Sequence, residues 1–158
     1  MKPTPPTAVL DTNVLLLWLV ALTDQSLLLS FKRVDTFNAE DLATLGKLLR
    51  DFQNLITTPH VLAEVSNFVD QAPQYRRPKL IAALRHFIEK HREVYEAASE
   101  LVARDEFSSL GIADTGLSAL STDAMVITTD YHLWGRITSR GGHCVNFHHL
   151  RSKQLLPG

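Results

Sequence analysis

Residues 8–22 read AVLDTNVLLLWLVAL, and this segment indicates a short buried strand joined directly to a buried helix. Ala8-Val9-Leu10 is the strand, and Asp11-Thr12-Asn13, which follows it, consists of residues that cap helices well. The apolar run from Val14 to Leu22 has nine residues and no polar face, which predicts a helix packed on a sheet. A membrane span needs about 20 residues, so this run is too short to cross a bilayer.

The remainder of the chain repeats this alternation of short apolar strands with helices. Further strands are predicted at Leu55-Ile56-Thr57, Ala124 to Thr128, and Cys144 to Phe147. Helices are predicted at Asp41 to Phe52, from Thr58-Pro59 to Val69, Pro78 to Lys90, Val94 to Ala103, Gly111 to Leu120, and Leu133 to Arg140. The segment Thr23 to Glu40 is predicted to be irregular. This order predicts an α/β fold in which helices flank a central, mainly parallel sheet.

Composition sets the broad class of the protein. Its 158 residues indicate one domain over 1–158, and 45% hydrophobic with 21% charged residues is ordinary for a soluble protein. The net charge of -1 is unlike that of a strongly basic nucleic-acid binder, although a local basic face is enough to bind RNA. A single cysteine, Cys144, excludes an intramolecular disulfide and a cysteine-based zinc site. Residues 1–7 lack the apolar core of a signal peptide, so we expect a cytoplasmic protein without a membrane partner.

Four acidic residues are placed where the ends of strands and the beginnings of helices meet. Asp11 and Asp130 directly follow predicted strands. Asp114 falls in the first turn of a predicted helix, and Glu64 in the second turn of the helix opened by Thr58-Pro59. Helices that follow parallel strands begin at the carboxyl edge of the sheet, which is where such folds bind ligands. The four carboxylates are therefore expected to converge on one spot.

Clustered carboxylates repel one another and raise one another's pKa, and a hard divalent cation removes that penalty. Oxygen-rich sites of this kind suit Mg²⁺ or Mn²⁺. Such an ion lowers the pKa of an attacking water and neutralises charge on a phosphodiester. Taken singly, each acid is equally well read as a solvated surface residue, because charged side chains are mostly exposed.

The segments that contain these acids resemble the motifs of PIN-domain nucleases, in the same order, from Thr7 to about Leu150. The four segments are Val9-Leu10-Asp11-Thr12-Asn13-Val14-Leu15, Thr58-Pro59-His60-Val61-Leu62-Ala63-Glu64-Val65, Gly111-Ile112-Ala113-Asp114-Thr115-Gly116-Leu117, and Val126-Ile127-Thr128-Thr129-Asp130-Tyr131-His132-Leu133. Each motif is weakly specific by itself, and the ordered set is the strong signal. The resemblance implies a PIN-like fold and hydrolysis of single-stranded RNA that depends on Mg²⁺ or Mn²⁺.

The resemblance also implies roles for particular residues and partners. Asp11, Asp114 and Asp130 would do most of the metal binding, and Glu64 would complete the site or orient water. Thr12, Asn13 and Thr128 match positions at which a polar side chain supports the acids. Small bacterial members are often VapC-type toxins that are held by a cognate antitoxin and dimerise. An antitoxin protein and a homodimer are therefore further expectations.

Several other residues are candidates for substrate binding or for an interface. Lys32, Arg33, Arg76 and Arg77 could contact phosphates, and His132 could reach the scissile phosphate; the alternative for the cations is a solvated helix face. Phe31 could stack on a base, or could anchor the core or a dimer. Leu27-Leu28-Leu29 with Phe31 is an apolar cluster in a predicted loop, which favours an interface. His60 is spaced to hydrogen-bond Glu64 or to be a plain surface residue, and His148-His149 is expected to end the last strand in a structural role.

Two functional hypotheses follow. The first is an endoribonuclease, in the narrower form the toxin of a toxin–antitoxin pair, that leaves 5′-phosphate and 3′-hydroxyl ends. The second is a catalytically silent PIN-like module that binds RNA or a protein partner. The complete set of four acids favours the enzyme, since a scaffold has no reason to tolerate their repulsion.

Overall fold

Five parallel strands form the central sheet of the protein, with the order β3-β2-β1-β4-β5. The structure is a computed structural model and describes residues 2–155. The strands are β1 (Thr7–Leu10), β2 (Asn54–Thr57), β3 (Arg92–Glu93), β4 (Met125–Thr128) and β5 (Cys144–Asn146). Helices flank the sheet, and none within residues 2–155 is long and apolar enough to cross a membrane. The predicted α/β class with a parallel sheet is confirmed, and the arrangement is consistent with a PIN-like fold.

The helices follow the strands in the alternation that the sequence predicts. They are α1 (Thr12–Thr23), α2 (Leu27–Ser30), α3 (Ala39–Leu49), α4 (Pro59–Val69), α5 (Arg77–Lys90), α6 (Ala98–Leu101), α7 (Phe107–Leu120), α8 (Tyr131–Ser139) and α9 (Phe147–Leu155). A 3₁₀ turn, Lys32–Val34, lies between α2 and α3. α1 packs against α3, α4 and α5, which explains why it is apolar on nearly every face.

The register of the sheet aligns the ends of its central strands. Val9 of β1 lies between Ile56 of β2 and Val126 of β4. Asp11 and Thr58 follow β1 and β2 directly, Asp130 follows β4 after one residue, and the three serve as the N-caps of α1, α4 and α8. Three helices therefore begin at one edge of the sheet, and this geometry directs their first residues to a common place.

The sequence predicts an irregular segment from Thr23 to Glu40, and this prediction is wrong. The segment forms α2 and the 3₁₀ turn, and Leu27, Leu28 and Phe31 are buried in the core of the protein itself. Only Leu29 of the predicted apolar cluster is exposed, at 92%. The cluster therefore gives no argument for a dimer, and Phe31 is a core residue whose ring is not available to stack on a base.

Two further local predictions are wrong. The segment predicted as a helix from Val94 to Ala103 is helical only at Ala98–Leu101, because the chain before it pairs with the sheet: the backbone N–H of Val94 donates to the carbonyl of Thr57. His148 and His149 do not end a strand, because α9 begins at Phe147. The side chain of Asn146 accepts the backbone N–H of His148 at 3.0 Å and so supports that first turn.

Candidate metal centre

Asp11 is the most enclosed carboxylate of the predicted set. It follows β1, between β2 and β4, and its side chain is buried. Its Oδ1 accepts the backbone N–H of Thr12 at 2.6 Å, and its Oδ2 accepts the hydroxyl of Thr128 at 2.5 Å. Burial raises the pKa of Asp11, the two hydrogen bonds act against that rise, and the charges of Asp130 and Glu64 add to it. The side chain is thus fixed in orientation but costly to ionise.

Glu64 is joined to Asp11 through Thr12. The Thr12 hydroxyl donates to Oε2 of Glu64 at 2.8 Å, while the Thr12 backbone donates to Asp11. Glu64 is exposed on α4. Thr12 therefore holds two acids from distant parts of the chain at one position.

Asp130 caps α8 and is linked to the same network. Its Oδ1 accepts the backbone N–H groups of His132 at 2.8 Å and Leu133 at 3.1 Å. Its own backbone N–H donates to the Thr128 hydroxyl at 2.9 Å, and that hydroxyl donates onward to Asp11. Thr128 therefore supports two acids, while Oδ2 of exposed Asp130 has no hydrogen-bond partner within residues 2–155.

Asp114 reaches the cluster from α7. Gly111 interrupts that helix with φ 79°, a value that glycine tolerates, so Asp114 lies in the first turn after the break. Burial and, after it, the charges of Asp11, Asp130 and Glu64 in that order together raise the pKa of Asp114 from 3.8 to about 7. Because charges act this strongly only at short range, the four acids share one locality.

No cation among the described side chains, those of residues 2–151, forms an ion pair with these acids. The ion pairs among these side chains join Arg76 to Asp24, Arg104 and Arg140 to Glu106, and Arg151 to Asp41. None involves a member of the cluster. Over the same range, no three His, Cys, Asp or Glu side chains lie close enough together to coordinate a metal ion in this conformation. The donor set itself consists of hard carboxylate oxygens, and the pKa values of two of these groups, Asp11 and Asp114, are raised; such a set fits Mg²⁺ or Mn²⁺.

Two of the predicted substrate-binding cations lie beside this edge. Lys32 and Arg33 line a groove of about 720 Å³ together with Asn13 and Thr129, which neighbour the acids in sequence. Lys32 is exposed, whereas Arg33 donates to the side chain of Gln71 and lies over the ring of Phe68. Asn13 thus lines the groove. Within the described residues, it forms no hydrogen bond with an acid of the cluster.

Arg76 and Arg77 are placed differently from the prediction. Arg76 pairs with Asp24, which ends α1, and α1 begins beside Asp11 about 18 Å away along the helix axis. Arg77 donates to the backbone carbonyl of Ala72 at 2.8 Å and holds the turn before α5. Both guanidinium groups already have partners in the fold. His60 likewise contacts the backbone oxygen of Glu96 at 3.4 Å, and the hydrogen bond to Glu64 comes from Thr12 instead.

Two features of the structure, Tyr131 and Glu106, are not singled out by the sequence patterns. Tyr131 follows Asp130 directly, is 71% exposed, and packs against Trp134 with ring centroids 5.4 Å apart; its position beside a predicted acid was the available signal. Glu106 is buried and bonded to Arg104 and Arg140, both 2.9 Å away. No pattern in the sequence marks that pairing, because Arg140 lies 34 positions from Glu106. His132, predicted to reach substrate, is exposed in the first turn of α8.

The thiol of Cys144 is not a reactive nucleophile. It lies in β5, and burial, with a smaller contribution from the charge of Asp11, raises the pKa of its thiol to about 12. Thiolate is the reactive form, so this cysteine is inert.

Comparison with known proteins gives no match for this sequence, either among the models of protein families or among the curated proteins.

Proposed function

We propose that the protein is a Mg²⁺- or Mn²⁺-dependent endoribonuclease with a PIN-like site. One observation carries the proposal: at the carboxyl edge of the sheet, burial and the charges of Asp130 and Glu64 raise the pKa values of Asp11 and Asp114, and no cation among the described side chains pairs with these acids. Repulsion among these carboxylates does not stabilise the fold, whereas a divalent cation bound between them removes the repulsion and is bound favourably.

In this proposal Asp11, Asp114 and Asp130 hold the metal, and Glu64 completes its surroundings. When bound, the ion neutralises charge on the phosphodiester and lowers the pKa of the attacking water. Thr128 and Thr12 keep Asp11 from rotating, since each of its oxygens accepts one hydrogen bond. Oε1 of Glu64, which has no hydrogen-bond partner within residues 2–155, is available to orient the water.

The reaction is hydrolysis of a phosphodiester. The oxygen of water bonds to phosphorus, and the bond between phosphorus and the 3′ oxygen breaks. A proton passes to that oxygen, so the products are a 5′-phosphate and a 3′-hydroxyl. The N-termini of α1 and α8, capped by Asp11 and Asp130, point their positive dipole ends to the same edge and favour an anionic substrate there.

Two surface features favour single-stranded RNA as the substrate. The exposed ring of Tyr131, next to Asp130, is suited to stacking on an unpaired base. Exposed Lys32, in the groove beside Asn13 and Thr129, can pair with a phosphate. A role as a toxin with an antitoxin partner, and a cytoplasmic location, remain predictions. The competing hypothesis, a silent module that binds RNA or protein, predicts binding without any cleavage.

The test is to incubate the purified protein with end-labelled RNA and DNA oligonucleotides in Mg²⁺, Mn²⁺ or EDTA. We expect cleavage of RNA that requires the metal and that is lost, by at least about 100-fold, in Asp11→Asn. Asp123→Asn is the matched control, because Asp123 is exposed and lies two residues before β4, at the opposite edge of the sheet. RNA that is bound but never cut in any metal would favour the silent module.

A paired measurement separates a metal site from a structural role for Asp11. Removing its charge relieves repulsion, so Asp11→Asn should melt in EDTA at the same temperature as wild type or higher. A variant that melts well below wild type in EDTA and still cuts RNA at a comparable rate would overturn the assignment. Thermal melting in EDTA and the nuclease rate in saturating Mn²⁺ are measured on the same preparations.

A further inference from the structure

A second groove lies on the opposite side of the protein from the acids. It has a volume of about 1310 Å³ and runs between α3 and α5, reaching Thr7 and Asn54, the first residues of β1 and β2. Parallel strands begin at the edge opposite to the one at which they end, so this groove is separate from the candidate metal centre. It exceeds the roughly 300–1,000 Å³ usual for a small-molecule site and is open along one side.

The floor of this groove is apolar and partly accessible. Trp18, Phe52 and Leu55 are half-buried there, and Leu22 is 55% exposed. An exposed leucine by itself is ordinary, but here it continues an apolar surface that lies below the rim.

The rim of the groove is positively charged. Arg50, Lys79, Lys90 and Arg92 line it and are exposed, with His86 and His91 between them. Within residues 2–155, no Asp or Glu side chain lines it. Burial lowers the pKa of His91, and the neighbouring charges of Lys90 and His86 lower it further, as expected where positive charge is concentrated.

The length of the groove and its low walls suit a bound helix. Lys79 and Lys90 are about 16 Å apart along α5, which is three helical turns. Ala82 and Ala83 on one wall and Gly46 on the other keep both walls low. A Cβ on Gly46 would meet only Trp18, at an ordinary 3.9 Å, so the fold's own packing does not require glycine there.

We infer that this groove binds an acidic, amphipathic helical segment of a protein partner, about three turns long. Its apolar side chains lie on Leu22 and Phe52, and its carboxylates pair with Lys79 and Lys90 at the two ends. Helix-in-groove recognition needs an apolar floor for residues spaced at i, i+3, i+4 and i+7, and complementary charge on the rim fixes orientation. The inference is independent of nuclease activity, because the groove is remote from the acids.

The test measures fluorescence anisotropy of a labelled helical peptide of about four turns, with Leu at i, i+3, i+4 and i+7 and Glu on the flanks. We expect saturable binding that weakens at least about tenfold in Leu22→Ser and in the double variant Lys79→Glu/Lys90→Glu. Matched controls are Leu29→Ser, which is more exposed but outside the groove, and Arg85→Glu, on another face of α5. Both should bind as wild type does, and thermal melting confirms that all variants are folded.

Other outcomes contradict the inference. No saturable binding, equal binding of a peptide with Lys in place of Glu, or equal weakening by the two control variants would overturn it. So would tighter binding of a single-stranded RNA oligonucleotide or of anionic phospholipid vesicles. Self-association seen by light scattering and abolished by Leu22→Ser would assign the groove to a second copy of the chain instead.

Discussion

The hydroxyl of Thr128 donates to Oδ2 of Asp11 at 2.5 Å, across the ends of two neighbouring strands. The same hydroxyl accepts the backbone N–H of Asp130 at 2.9 Å. One buried side chain therefore fixes two of the acids that we propose to bind metal. The two residues are 117 positions apart in sequence, so only the pairing of β1 with β4 brings them together.

Thr128→Val should destabilise the protein and weaken metal binding together. The change removes a donor to Asp11 and an acceptor for Asp130, at a cost of about 1–3 kcal/mol for buried groups left unpaired. It also raises the pKa of Asp11 further, since the lost hydrogen bond favours the carboxylate. Urea unfolding in EDTA measures the stability, and titration with Mn²⁺ measures the affinity.

Thr57→Val is the matched control for that substitution. Thr57 ends β2 as Thr128 ends β4, and both are buried. The Thr57 hydroxyl has no hydrogen-bond partner within the described residues, so a methyl group in its place should leave stability unchanged or higher. Equal losses in the two variants would mean that the hydrogen bonds of Thr128 contribute nothing specific.

The stability of the metal-free protein should fall as pH rises from about 4 to about 7. Burial raises the pKa of Asp114 from 3.8 to about 7, so the folded state holds a proton that the unfolded state releases. The raised pKa of Asp11 acts in the same direction. Asp114→Asn should flatten the profile and gain on the order of 2 kcal/mol above pH 7, allowing for partial exposure. Urea unfolding in EDTA across this pH range measures the stability of wild type and of Asp114→Asn.

Two comparisons make that pH experiment decisive. Asp123→Asn should keep the full wild-type slope, because Asp123 is an exposed acid that precedes β4 at the other edge. Saturating Mn²⁺ should reverse the slope in wild type, since metal and proton compete for the same carboxylates. A wild-type profile in EDTA that rises from pH 4 to 7 would contradict the repulsion described for Asp114.

Lys32→Gln should weaken RNA binding, whereas Arg76→Gln should not. Lys32 is exposed in the groove beside the acids, and loss of one phosphate contact should lower the salt dependence of binding by about 0.7 in log–log slope. Arg76 pairs with Asp24 at the far end of α1, so its loss should appear only as a small change in stability. Binding of a labelled RNA to the catalytically inactive Asp11→Asn background, at several salt concentrations, measures both effects.

Glu106→Gln should destabilise the protein by about 1–3 kcal/mol at neutral pH. Although burial acts to raise the pKa of Glu106, hydrogen bonds from its own backbone and from Arg104, and the charges of Arg104 and Arg140, hold it below 4.5. The stability it contributes is therefore present above pH 4.5 and is lost as the pH falls below that value. Chemical unfolding at pH 7 and pH 3 should show a large difference between wild type and variant only at pH 7. Asp105→Asn, at the exposed neighbouring position, should show no such difference.

The sequence by itself determined the class of the fold and the positions of the four acids along it. Strand and helix patterns are local, and the alternation from Ala8 onward allowed few arrangements other than a parallel sheet. Because Asp11 directly follows an apolar strand and Asp130 follows another after one residue, their place at the carboxyl edge followed from that topology alone. The local pattern failed at Leu27, Leu28 and Phe31, which lie in a predicted loop but are buried in the hydrophobic core.

Only the tertiary structure decided which side chains are partners. It joined Thr128 to Asp11 and Thr12 to Glu64, and it took Arg76 away from the acids to Asp24. It also formed the cationic groove between α3 and α5, whose rim residues are far apart in sequence. The physical reason is that periodicity reports which face of an element is buried, whereas hydrogen bonds and charge pairs depend on distances between elements that only packing sets.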